Sequence, residues 1–97
     1  MAMYLMLANY TPQGVRNIKE GPAQIDAFKR AAKEAGGEVK DFYLAMGAHD
    51  LAITLSAPDD ETVARIALGL CALGNVETET TRLFTEQEYR KIVQSMK

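Results

Sequence analysis

The sequence predicts an α+β fold of the ferredoxin-like βαββαβ plan: a four-stranded antiparallel sheet with its two long helices on one face and a short helix appended at the C-terminal end. Three observations carry that expectation. Apolar runs alternate with the period of a strand, helical stripes separate them in the order strand, helix, strand, strand, helix, strand, and Gly or Pro punctuates the junctions.

Met3–Tyr10 is an apolar run closed by Thr11-Pro12-Gln13-Gly14 and forms the first strand. Thr11–Gly21 reads as a polar connection. Pro22 suits the opening of a helix, and Ile25, Phe28, Ala32 and Ala35 recur at helical spacing until Gly36-Gly37 stops them. Glu38–Met46 and His49–Ala57 then alternate around the Gly47 turn, which places Phe42, Leu44, Leu51, Ile53 and Leu55 on one face of a hairpin.

Ser56–Glu61 combines a proline with acids that complement a helix dipole, and Val63, Ile66, Ala67, Leu70 and Leu73 make the stripe of a second long helix that ends at Gly74-Asn75. Gly69 inside that helix costs ~1 kcal/mol relative to alanine, which predicts a close approach to the sheet or to a neighbour. Val76–Phe84, rich in threonine, reads as an edge strand on which Glu77 and Glu79 discourage edge pairing. Thr85 and Glu88 have the spacing of a capping box, and Tyr89, Ile92, Val93 and Met96 share one side of the final helix.

At 97 residues the chain is the size of one domain, residues 1–97, with one core. Its 47% hydrophobic and 25% charged residues are a globular composition. The net charge of -2, from 11 basic and 13 acidic residues scattered along the chain, provides no extended positive field, so nucleic acid is not an expected partner. Cys71 is alone among apolar neighbours and reads as a small core residue in a reducing compartment. Met1-Ala2-Met3-Tyr4 lacks the leader of a signal peptide and no apolar run approaches the ~20 residues of a membrane span, so a cytoplasmic location without membrane partners is expected.

Two helices cover only one side of such a sheet. If Leu5, Leu7, Leu51, Ile53 and Leu55 face the helices, alternation sends Tyr4, Met6, Ala8, Tyr10, Tyr43, Ala45 and Ala52 to the open side. That side is too apolar for water, and a homodimer through the open sheet face follows, with higher oligomers left open. The opposite register of the first strand is the alternative.

Candidate chemistry concentrates in two places. The first is Met46-Gly47-Ala48-His49-Asp50, which holds the only histidine beside a carboxylate. His49 has the chemistry of a general acid or base, although neighbours on a strand point to opposite faces, and Asp50 is equally suited to bonding turn amides. The second is Arg16-Asn17-Ile18-Lys19, whose cations precede the amino end of a helix and suit an anionic ligand unless Glu20 and other acids pair with them. No metal set and no nucleotide cradle is present, so no metal and no cofactor is implied. Lys29-Arg30, Lys33-Glu34 and Arg90-Lys91 lie opposite apolar stripes and read as solvated helix faces.

Ala8–Lys19, Phe42–Asp50, Leu73-Gly74-Asn75-Val76 and Thr80–Thr85 together resemble the GYD domain family across nearly the whole chain. The resemblance implies a small ferredoxin-like bacterial or archaeal protein of the dimeric α/β-barrel type, in a family without a general biochemical activity. The Gly-Tyr-Asp signature of that family is altered: Gly47 and Asp50 remain, with Ala48-His49 between them. Histidine in place of tyrosine removes any role that needs a phenol and leaves hydrogen bonding and stacking open. The expected function is an uncharacterised small-molecule-binding or regulatory domain with a pocket between stacked sheets, lined by Tyr4, Met6, Tyr10 and Tyr43, with Arg16, Lys19, His49 and Asp50 at its mouth. An anionic or aromatic ligand suits it. The alternative is a small cofactor-independent enzyme acting on a hydrophobic or aromatic substrate, with His49 as the one candidate catalytic residue.

Overall fold

A computed structural model describes residues 1–97. Strand β1 (Ala2–Tyr10) lies inside a four-stranded sheet and pairs antiparallel with both β3 (Leu51–Ala57) and β4 (Val76–Leu83). Strand β2 (Glu38–Leu44) pairs with β3 through the hairpin, giving the order β2-β3-β1-β4. The expected βαββαβ fold is present, with β4 at an edge.

Between the strands run α1 (Pro12–Arg16), a 3-10 turn at Ile18–Glu20, α2 (Gly21–Glu34) and α3 (Asp60–Ala72), and α4 (Glu86–Gln94) follows the sheet. Helix α1 lies where the sequence predicts only a connection. Thr11 caps it by accepting from the Gly14 amide, and Pro12 occupies its first turn, so the signal was the Thr-Pro pair itself. Asp59 caps α3 through the Thr62 amide at 2.8 Å, and the Thr85/Glu88 capping box of α4 is complete, with bonds of 2.9 and 3.1 Å.

The core lies between the sheet and α2 and α3. Met6, Ile53 and Leu55 are its largest fully buried side chains, joined by Tyr4, Phe28, Ala32, Val63 and Ile66. This corrects the face assigned to β1. Tyr4 pairs with Leu55, Met6 with Ile53 and Ala8 with Leu51, so Tyr4, Met6 and Ala8 share the buried helix face, while Leu5 and Leu7 turn to the open side. Strand β3 decides the matter, because Leu51, Ile53 and Leu55 contrast with Ala52 and Thr54, whereas β1 is apolar on both faces.

A bulge between Val39 and Asp41 shifts the phase of β2, so that Val39, opposite Leu55, and Phe42, opposite Ile53, both reach the core. Leu44, expected on that face, lies at the strand end and is exposed. Cys71 is half-buried rather than a core residue, with Sγ 3.3 Å from the Thr78 hydroxyl. No helix is long and apolar enough to cross a membrane.

Candidate functional site

The β2–β3 turn places the Asp50 backbone within reach of β1. Gly47 takes a φ of +135°, a conformation that L side chains rarely adopt. The Ala45 amide donates to the Asp50 carbonyl at 2.7 Å, and the Asp50 amide donates to the Ala8 carbonyl at 2.9 Å and to Asn9 Oδ1 at 3.1 Å. In return, Asp50 Oδ2 accepts from the Tyr10 amide at 2.9 Å. The carboxylate therefore ties the hairpin to the end of β1, a tie to the neighbouring strand rather than to the amides of its own turn.

His49 is half-buried beside this clamp, and its Nδ1 is buried with no hydrogen-bond partner. Asp50 does not orient the ring through that nitrogen. Tyr43 stands 60% exposed on the open face opposite Ala52, whereas Tyr10 pairs with Val76 on the helix face. The two tyrosines thus lie on opposite sides of the sheet. With Tyr4 and Met6 in the core, the expected four-residue lining does not come together. Arg16 and Lys19 are exposed on α1 and the 3-10 turn, and neither forms an ion pair.

A cavity of about 450 Å³ opens instead between α2 and α3. Ala27, Phe28 and Ala31 line it from α2 with Ala35 at the C-cap of that helix, Ile66, Gly69 and Leu70 line it from α3, and Val76 from the start of β4. A recess of about 40 Å³ continues inward to Tyr10, Phe42, Leu51 and Ile53. Gly69 explains part of the opening. A Cβ at this position would meet no atom within 4 Å, so the glycine faces empty space rather than the close approach predicted for it. The spacing of Ala27, Ala31 and Ala35, one per helical turn toward the same side, is the other signal in the sequence.

The polar groups of this cavity are few. Arg65, Gln24 and Asn75 lie on its lining, and Arg65 is the one charged residue among them. The Asn75 side chain is engaged, accepting from Gln13 at 3.1 Å and Asn17 at 3.4 Å. The Arg65 guanidinium donates to the Thr62 hydroxyl at 3.3 Å and forms no ion pair.

At the other end of the sheet, Tyr4, Asp60 and Arg82 form a polar cluster. The Tyr4 hydroxyl donates to Asp60 Oδ1, and that bond, followed by burial and the carboxylate charge, raises the phenol above its ordinary pKa. The Arg82 guanidinium lies 5.7 Å from the centroid of the Tyr4 ring and 4.4 Å from that of Phe84, and 3.9 Å from Glu88. Each charge here has a structural partner. No group of three or more His, Cys, Asp or Glu side chains is arranged to hold a metal ion.

A family model, the GYD domain, matches residues 4–93. No curated protein matches the sequence. Among solved structures the chain is similar to MtbAldR, at 18% identity and a TM-score of 0.67, over 87% of this chain and 52% of that one. It is also similar to a feast or famine regulatory protein from M. tuberculosis complexed with L-methionine, at 12% identity and a TM-score of 0.63, over 88% and 51% of the respective chains. TTHA0845 from Thermus thermophilus matches at 23% identity and a TM-score of 0.56, over 88% and 95%. The chain spans about half the length of the first two, and at these identities the likeness is one of fold.

Proposed function

The chain belongs to the GYD domain family, and from that premise we propose that it is a small-molecule-binding or regulatory domain that works as a homo-oligomer. The observation that carries this reading is the apolar cavity between α2 and α3, whose volume of about 450 Å³ falls in the range of ligand sites. This moves the pocket from between two sheets to the helix side of one chain. Tyr10, at the inner recess, is the one residue of the predicted set that belongs to it. Tyr43 and His49 are assigned to a second, shallower contact on the hairpin side. Arg16 and Lys19 supply positive charge to the approach along α1, and Asp50 serves the ligand only by holding the hairpin in place. The regulatory protein complexed with L-methionine supports the reading as an example of this fold with a small molecule bound.

Self-association is assigned to the open sheet face, where Leu5, Leu7, Ala52 and Tyr43 sit among Asp41, Thr54, Glu79 and Thr81. A second sheet stacked there removes the two leucines from water, at ~25 cal/mol per Å² of apolar area. A second reading, a cofactor-independent enzyme, is favoured by one observation: no hydrogen bond commits the buried Nδ1 of His49 to the fold, so the imidazole is the one candidate for proton transfer once a substrate reaches it.

The test is a thermal-melt screen against amino acids and aliphatic and aromatic acids. A bound ligand produces a saturable rise in Tm, worth about 2.7 kcal/mol at a hundred times its Kd. If no compound shifts the melt, the binding function is wrong. Turnover of a hit that His49→Ala abolishes without loss of affinity establishes the enzyme. For the assembly, Leu5→Glu gives a folded monomer whereas Met6→Glu, in the core, unfolds the chain. A Leu5→Glu protein that sediments as wild type excludes the open face as the interface.

A further inference from the structure

Resting on the helix-side pocket proposed above, we infer that its ligand is an amphipathic carboxylate, an apolar chain or ring that fills the groove with its anionic end held by Arg65, and that Gly69 sets the room available. Two features of the lining point there. Eight of the twelve lining residues are hydrophobic and no acidic side chain is among them, so the apolar body of a ligand meets matching walls and no carboxylate lines the groove against its anionic end. Arg65 is the single charge on the lining; one of its terminal nitrogens donates to the Thr62 hydroxyl and its charge is felt by Asp59, but it carries no salt bridge, so its remaining N–H donors are available to a carboxylate.

Gly69 and the α2 alanines determine how much can enter. Gly69 lines the groove and a Cβ there would meet no atom within 4 Å, so a leucine or isoleucine at position 69 has room to extend across the groove's mouth. Glycine keeps that space open at a cost in helix propensity. The inward recess toward Tyr10 and Phe42 receives the far end of the apolar body, placing it against two aromatic rings.

The experiment is calorimetric titration with decanoate and with decan-1-ol, on the wild-type chain and on Arg65→Met, Gly69→Ala and Gly69→Leu. Decanoate binds the wild type more tightly than the alcohol by about tenfold, the size expected of one charge-assisted contact. Arg65→Met removes that preference and leaves the alcohol within about twofold. Gly69→Leu weakens both probes by more than about tenfold, while Gly69→Ala, which only improves the helix, retains both and melts higher. Equal binding of acid and alcohol by the wild type overturns the inference and leaves the pocket intact. Unaltered binding by a folded Gly69→Leu protein overturns it by placing the site elsewhere. If neither probe binds, the carboxylate assignment is overturned, and the wider function falls only if the metabolite screen also finds nothing. If Gly69→Leu instead abolishes self-association, the groove takes an element of a second copy, such as the exposed Tyr89, Ile92 and Val93 face of α4, and the inference is overturned.

Discussion

Gly14 packs directly against the backbone of Asn75: a Cβ at residue 14 would lie 2.0 Å from the Asn75 carbonyl oxygen and 3.1 Å from the Tyr10 ring. The same carbonyl accepts from the Thr11 amide at 3.0 Å, and the Thr11 hydroxyl donates to the Gly74 carbonyl at 2.6 Å. Gln13 adds bonds to the Leu73 carbonyl and to Asn75 Oδ1. The segments Thr11–Asn17 and Leu73–Val76, which carry much of the family resemblance, therefore form a polar knot joining α1 to the α3–β4 turn. These hydrogen bonds are structural.

Gly14→Ala forces that knot apart, because the overlap is with backbone that cannot rotate away. A loss of about 1–3 kcal/mol of stability is expected, as for other overpacked sites. Urea denaturation checks it. An unchanged midpoint would show that α1 shifts without cost.

The architecture was legible where one face of an element contrasts with the other. Leu51, Ile53 and Leu55 against Ala52 and Thr54 leave β3 a single orientation, and the Thr85/Glu88 pair announces α4. Strand β1 offers no such contrast, since Tyr4, Met6, Leu5 and Leu7 are all suited to a core, and only its pairing with β3 selects between them. The Lys40 bulge is similarly hidden, because it breaks the period of two on which strand reading depends. The groove depends on the separation of two helices distant in sequence. Gly69 and the three alanines mark where it opens, but small residues permit close helix contact as readily as they leave a gap.

The Tyr4 hydroxyl holds β1 to the start of α3 through Asp60. Tyr4→Phe keeps the ring in the core and removes only this bond, so a fall in Tm on the order of a few degrees is expected at neutral pH. The folded phenol titrates above its ordinary value of 10.0, so its contribution is fully present below that value and is lost as pH rises through the higher folded pKa. Wild-type and Phe variants therefore converge in Tm at strongly alkaline pH. A constant gap across that range would show that the phenol is not linked to folding.

At acid pH the cap of α3 governs the response. The Thr62 hydroxyl and then its amide hold the Asp59 carboxyl below its ordinary value of 3.8, and the Thr85 amide does the same for Glu88 below 4.5. With folded values depressed, both groups contribute stability above those ordinary values and lose it as pH falls through the folded ones. Asp59→Asn preserves the cap, since asparagine accepts from the same amide, but it no longer titrates. The variant accordingly loses less Tm than wild type between about pH 5 and pH 2. Asp59→Ala lowers Tm at neutral pH on the order of 5 °C by leaving the Thr62 amide uncapped. Parallel acid melts of the three proteins check both points, and identical slopes for wild type and Asp59→Asn would locate the acid sensitivity elsewhere, with Glu88 the next candidate.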